Sequence, residues 1–509
     1  MKKSRLDYSI INSFIGSLSQ VATLVIGFIT QTIFIKTLGA TYLGVKGLFS
    51  NILSVLSFTE LGIGTAITYS LYKPLANNNN NQVSLIMRFF RKAYNIIGII
   101  VGVLGVCLIP FIHFFTHQKI NFLYVYYLLF LANTVVSYFY TYKRTLLNAD
   151  QLSYINLLNQ IIFKIIQAIL QIIVLIIFKS FFWFLVIQLL CTIFSNIIIS
   201  IQVDRRYPYL NQISKKDKLS HKILHEIFHN TVGLVGTKIS SVLVMGSDNA
   251  LISYFTSLYQ AGIYSNYMFI INGVTSVFSQ ATNALAASIG NLNAEGNDIE
   301  KQYDIFNKCF FLVQACTFFC ASCLLVLIDS FIDIWVGKKY EFAFLVTFLL
   351  VFNFIIMGLR QAFFPFVSAY GLYSKDGVKA FIESIINLIL SIIYAKYLKL
   401  GVAAIILGTI SSNILVNWYE PYMILKYGIK QNKKYFQVYL KYLYYIIVDT
   451  IVMLLLHCLL HWYKVTGIFS FIELTGITII VTIIIYLLLF SWSKYFKFLI
   501  FMVKKFLKR

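Results

Sequence analysis

Long apolar runs alternate along the chain with short polar breaks. Each run holds about 20 or more residues with few charges, enough for a helix to cross a hydrocarbon layer roughly 30 Å thick. Hydropathy predicts spans at Phe14–Ile35, Leu43–Leu71, Tyr94–Phe115, Phe122–Tyr142, Tyr154–Phe178 and Phe181–Ile201. After a polar stretch, Gln202–Asn230, come Thr231–Phe255, Gly262–Ser288, Phe306–Ile328, Phe344–Tyr370, Val378–Tyr397 and Gly401–Leu425. A basic linker, Lys426–Lys441, precedes two more, Leu443–Trp462 and Phe469–Phe490. The expectation is an all-α polytopic membrane protein with about fourteen transmembrane helices, grouped six, six and two.

Composition agrees, since 59% of the 509 residues are apolar and only 12% are charged. Mean hydropathy is +0.78. These values exclude a soluble enzyme, a secreted domain and a disordered chain. The 42 Lys and Arg against 19 Asp and Glu give a net charge of +23, which in a soluble protein would suggest nucleic acid. Here the charges follow the loops. With both termini in the cytoplasm, most of the basic residues fall in inside segments, among them Arg88, Arg91, Lys92, Arg205, Arg206, Lys215, Lys433 and the tail from Lys494 to Arg509. The excess therefore reflects orientation and anionic lipid, and no nucleic-acid partner is expected. The tail, with Phe496, Leu499, Ile500 and Phe506 among lysines, reads as an interfacial helix. Met1-Lys2-Lys3-Ser4-Arg5 shows no small-residue cleavage site, so the amino terminus is expected to stay on the mature chain.

Six helices, a linker and six helices suggest an internal repeat. A shift of 218 places Asn12 on Asn230, Gly44 on Gly262, Val45 on Ile263 and Ala66 on Ala284. Because six is even, both halves enter the membrane in the same sense, a parallel pseudo-repeat. The expected domains are an N-terminal lobe (1–201), a basic cytoplasmic linker (202–230), a C-terminal lobe (231–425) and a final part (426–509) with linker, two helices and basic tail. Polar residues on the first helix (Asn12, Ser13, Ser17, Gln20, Thr23, Thr30, Gln31) and the seventh (Lys238, Ser240, Ser241, Ser247, Asp248, Asn249) should face a cavity. Phe181–Leu190 is nearly all apolar and should face lipid.

An ionisable side chain inside a span costs about 3 kcal/mol at the centre by insertion scales, so each needs a reason. Lys46 and Glu60 on helix two, Lys164 on helix five, Lys238 and Asp248 on helix seven, Arg360 on helix ten and Asp449 on helix thirteen qualify. Lys46, Lys164, Lys238 and Arg360 outnumber Glu60 and Asp248, so the expected interior is electropositive and suits an anion, phosphate above all. Pairing between helices is the structural alternative for any one of them. Tyr264, Asn266 and Tyr267, which open helix eight, together with Asn249 are candidate sugar contacts through ring stacking and amide hydrogen bonds.

Other motifs carry less. His225-Glu226-Ile227-Phe228-His229 has zinc-hydrolase spacing but no third ligand and sits in the basic linker, so a solvated helix face is expected. Gly39 to Lys46 resembles a phosphate-binding loop but lacks a preceding strand. Cys309, Cys316, Cys320 and Cys323 fall on one helix face, where a small-residue packing stripe explains them better than a metal. Neither cofactor nor metal is expected.

With these spans in place, the chain resembles the polysaccharide flippases of the multidrug/oligosaccharidyl-lipid/polysaccharide (MOP) exporter superfamily, and within it the Wzx-type repeat-unit flippases of capsule and exopolysaccharide clusters. The resemblance rests on Glu60-Leu61-Gly62-Ile63-Gly64-Thr65-Ala66 with Leu71-Tyr72-Lys73-Pro74-Leu75, Asp248-Asn249, and Ala261-Gly262-Ile263-Tyr264-Ser265-Asn266-Tyr267. Ala287-Ser288-Ile289-Gly290-Asn291, Arg360, Gly401 to Thr409 and Trp418-Tyr419-Glu420-Pro421 extend it. It implies a MATE-like fold of two lobes and a transporter rather than an enzyme. The implied location is the bacterial cytoplasmic membrane. The implied cargo is undecaprenyl-diphosphate-linked oligosaccharide, moved from the inner to the outer leaflet by alternating access, with a glycan polymerase and chain-length regulator as partners. In that setting Arg360, Lys238 and Lys164 are expected at the headgroup and Glu60 or Asp248 as a coupling or gating carboxylate. The alternatives are a flippase for teichoic acid or peptidoglycan precursors, a MATE-type ion-coupled exporter, and a membrane glycan polymerase or glycosyltransferase using Asp329 and Asp333 of the longest outer loop.

Overall fold

The apolar runs do form helices. A computed structural model describes residues 5–56, 63–115, 120–211, 247–295, 299–498 and 500, and among them there is no strand. Eleven helices among the described residues are long and apolar enough to cross a membrane. The protein is a multi-pass membrane protein. Its contacts divide it into two compact units, Met1–Gly262 and Ile263–Arg509.

In the first unit α1 (Arg5–Leu56) is one helix only by hydrogen-bond continuity. Gly39 interrupts it with φ 83° and ψ 176°, so the arms 5–38 and 40–56 are two helices joined by a single-residue turn. Only glycine takes that left-handed backbone at little cost. There follow α2 (Ile63–Ala76), α3 (Asn80–Cys107), α4 (Leu123–Ala149), α5 (Ser153–Phe178) and α6 (Phe181–Arg206). A short helix at 247–255, α7, also belongs to this unit. α1 packs on α5, and α4 packs on α3 and α6.

Two boundaries differ from expectation in the same way. α3 begins at Asn80, not Tyr94, because the Asn79 side chain accepts from the Gln82 N–H at 3.0 Å and caps a polar first turn. α4 runs to Ala149 rather than Tyr142. Arg88, Arg91, Lys143 and Arg144 are therefore helical residues and not loop residues. Phe181–Leu190 is also two-faced: Phe182, Trp183 and Leu190 are exposed, while Phe181, Phe184 and Leu185 are buried. Phe184 meets the Phe34 ring edge-on at 5.0 Å between centroids.

The carbonyls of one helix press directly on the other where α8 (Leu258–Glu295) starts. A Cβ built on Gly44 would lie 1.9 Å from the Leu258 carbonyl oxygen, and one on Gly262 would lie 2.0 Å from that of Ala40. The two glycines that the repeat superposes are thus each other's packing partners, a small-residue helix crossing within the first unit.

The second unit is organised around α9 (Ile299–Val336), whose 38 residues reach about 57 Å at 1.5 Å per residue. Phe306, Phe310, Phe311 and Phe318 on it are wholly buried. Against it pack α10 (Phe344–Arg360), α15 (Tyr435–Leu460) and α16 (Ile468–Phe490). A polar chain ties the last two to it: Tyr486 donates to Gln314 Oε1 at 3.1 Å, and Gln314 Nε2 donates to Asp449 at 2.9 Å. Asp449 is thereby explained as a packing residue. The remaining elements are α11 (Phe364–Ala369), α12 (Tyr373–Tyr397), α13 (Val402–Val416) and α14 (Tyr419–Met423). Expected spans ten and twelve are each broken, at 361–363 and 417–418.

Candidate functional site

The broken helices bring charges together. Arg360 is the last residue of α10, Lys379 and Glu383 lie one turn apart on α12, and Glu420 lies on α14 just past the second break. Arg360 Nε donates to Glu420 Oε1 at 2.6 Å and Nη1 to Glu383 Oε1 at 3.0 Å. Lys379 Nζ donates to Glu383 Oε2 at 2.6 Å, to Glu420 Oε1 at 2.9 Å and to Asn417 Oδ1 at 2.6 Å. All four ionic side chains are buried, and Glu420 is 0% exposed. Two cations and two carboxylates compensate each other inside this unit, with Asp376 close enough for its charge to be felt at Arg360. Arg360, expected at an anionic headgroup, already holds two carboxylates. The sequence-level count of acids omitted both of them.

The first unit is built the opposite way. Lys46, on the second arm of α1, points its ammonium at the Phe34 and Phe184 rings, each 5.6 Å from the centroid. Lys164 of α5 lies within electrostatic reach of Lys46, and among the described residues neither has a carboxylate partner. Like charges within reach of each other repel, and an anion between them would relieve that repulsion. Cation–π contact stabilises Lys46 without cancelling its charge.

A third cation, Arg144, was hidden by the early end drawn for its span. Its guanidinium makes four hydrogen bonds, all to neutral groups: Asn196 Oδ1 at 3.0 Å, Asn156 Oδ1 at 2.6 Å, Asn159 Oδ1 at 3.1 Å and Ser195 Oγ at 2.8 Å. Asn196 is buried, and its Nδ2 has no partner among the described residues. The cradle takes four of the five N–H donors of Arg144 and leaves its charge uncompensated among the described residues.

Other expected residues sit differently. Tyr264, Asn266 and Tyr267 are buried, and Tyr267 is 0% exposed. The Tyr267 hydroxyl donates to Asp329 Oδ1 at 2.5 Å and accepts from the Phe342 N–H at 3.0 Å, so its ring offers no open face to a sugar. Asp329 also accepts from Thr347 at 3.0 Å. α9 continues through Asp329 and Asp333 to Val336, so neither lies in an outer loop, and Asp329 is a helix clamp. Beyond that helix end, burial with Asp333 and Asp329 nearby pushes the Glu341 carboxyl up, against a smaller pull from Lys338. Asp248 and Asn249 lie on α7, half-exposed and hydrogen-bonded or charge-coupled to neighbours. Glu60, Lys238, the His225–His229 motif and nearly all of the tail after Phe498 fall outside the described residues. All seven cysteines are unpaired thiols, and no group of metal-ligating side chains occurs among the described residues.

Residues 10–286, more than half the chain, match the family described as polysaccharide biosynthesis protein. The chain belongs to that family. No curated protein matches it by sequence. Among solved structures it is similar to an inward-facing multidrug-resistance MATE family transporter of the MOP superfamily, at 14% identity and TM-score 0.59, covering 84% of this chain and 99% of that one. The lipid II flippase MurJ, in an inward closed conformation, is similar at 16% identity and TM-score 0.58 over 94% of this chain and 99% of its own. The MATE transporter VcmN of Vibrio cholerae gives 13% identity and TM-score 0.55 over 84% and 99%. At these identities the likeness is one of fold, and this family member has the fold of those transporters, the MATE-like fold that the sequence resemblance implied.

Proposed function

We propose that the protein is a flippase of the bacterial cytoplasmic membrane that carries an undecaprenyl-diphosphate-linked oligosaccharide from the cytoplasmic to the outer leaflet by alternating access. Both termini then lie in the cytoplasm, and the cargo serves capsule or exopolysaccharide synthesis. The carrying observation is that Lys46 and Lys164, on two apolar helices of one unit, lie within electrostatic reach of each other and have no carboxylate partner among the described residues. A diphosphate is the anion best suited to a paired-cation site, since each ammonium can take its own phosphoryl group. Family membership supports polysaccharide precursors as the cargo class, and the shared fold with a lipid II flippase supports a lipid-linked one. Arg144 adds a third uncompensated charge to the same unit. Lys238 is assigned to the headgroup with them, and Glu60 or Asp248 to coupling. An exporter of organic cations needs available acids instead, and Glu383 and Glu420 are already held by Arg360 and Lys379.

The test is a leaflet assay in proteoliposomes loaded with a synthetic undecaprenyl-diphosphate oligosaccharide bearing an oxidisable sugar. Wild type should expose inner-leaflet sugar to external periodate, and the double variant K46Q/K164Q should not, while eluting as a monodisperse protein. Unchanged sugar exposure in that variant would remove the assignment. No exposure with wild type would remove the reading itself.

A further inference from the structure

The first unit holds a cavity of about 600 Å³ that none of the residues discussed above for cargo line. It lies between α3, α4 and α6, at the end of the bundle where α3 begins and where α4 and α6 finish. Arg88 and Arg91 project from the third and fourth turns of α3, Lys143 from the last turns of α4, and Ser200 and Asp204 from the last turns of α6. Three cations face one carboxylate. Asp204 is already spent on Lys143, whose Nζ donates to it at 2.6 Å and to Ser200 Oγ at 2.5 Å. That pair fixes the α4–α6 wall, while Arg91 is exposed and makes no ion pair among the described residues. Tyr140 and Met87 complete an apolar side.

We infer that this pocket binds the phosphate oxyanion of an anionic headgroup, with Arg88 and Arg91 as the binding forks. Guanidinium presents paired N–H donors that match two phosphate oxygens, and basic pockets between helices at a membrane face take up lipid headgroups. The volume falls within the range that holds a whole small ligand, larger than a bare ion needs. The apolar side gives the glycerol and first methylenes somewhere to lie. This inference does not depend on the flippase reading: a lipid held here stays with the protein instead of crossing.

The experiment is native mass spectrometry of the delipidated full chain with palmitoyl-oleoyl phosphatidylglycerol or phosphatidylcholine added. Wild type should retain the anionic lipid in preference. The preference should fall about fivefold for each cation removed in R88Q and R91Q. Lys92 is exposed on the same helix but does not line the cavity, so K92Q, with the same loss of net charge, should behave as wild type. Competition with millimolar inorganic phosphate on wild type identifies the source: displacement assigns the pocket to the soluble ion and resistance assigns it to the lipid, and each sustains a phosphate site. Equal retention of the two lipids by wild type, or wild-type preference in R88Q/R91Q, would overturn the proposal.

Discussion

Removing the guanidinium of Arg360 leaves Glu383 and Glu420 buried with Lys379 alone between them. Breaking a buried ion pair from one side costs about 3 to 5 kcal/mol, because a charge stays behind in a dry place. R360A should therefore lower the thermal unfolding midpoint in detergent, and R360A/E420Q should recover part of the loss. A variant as stable as wild type would show the network to be hydrated. R144Q should cost less than R360A, since no partner is left charged, although a Gln amide has two N–H donors against the four bonds of the guanidinium. Its midpoint should fall by less than that of R360A while leaflet transfer falls, and transfer at the wild-type rate would separate Arg144 from the cargo. Lys46, Lys164 and Arg360 could all be found from the sequence, because a charge in an apolar run stands out. What they touch could not. Arg360, Glu383 and Glu420 come from three helices, and counting charges span by span says nothing of which helices meet. Arg144 was lost to a boundary drawn where hydropathy falls, although a helix need not end where it leaves the apolar layer.

Glycines at helix contacts give a sharper test of the packing than bulky residues do. Gly44→Ala puts a methyl carbon 1.9 Å from a main-chain oxygen, which no rotamer relieves, so the helices must part at a cost of about 2 kcal/mol or more. Gly39→Ala meets nothing within 4 Å and carries only the left-handed backbone penalty, about 1 to 2 kcal/mol. Thermal unfolding should rank G44A below G39A, and the opposite order would deny the close crossing. Gln314→Leu should cost about 1 to 3 kcal/mol by stranding Asp449 and Tyr486 together. Element positions were largely readable, since a run of 20 apolar residues has few other uses. The interruptions at 361–363 and 417–418 were not, because Ala362, Phe363 and Trp418 keep the run apolar while the backbone turns. The weak repeat at a shift of 218 was readable as alignment alone, and its meaning as a mutual contact needed coordinates.

At the scale of the whole molecule, buried cations among the described residues are accommodated in two ways. In the second unit, Arg360 and Lys379 form a closed set with Glu383 and Glu420, while Lys46 and Arg144 of the first have aromatic rings and amides for company, as Lys441 of the second also does. Apolar content and the bias of basic residues toward certain loops revealed a polytopic membrane protein, but not these two arrangements. Arg144 draws out a consequence in electrical terms. Since every group that holds it is neutral, it keeps a full elementary charge, and a complete crossing of the membrane field would be worth about 2.3 kcal/mol per 100 mV to it. A step of the cycle that carries Arg144 into that field must then do work against the voltage, and the rate of that step in R144Q should depend less steeply on an imposed potassium diffusion potential.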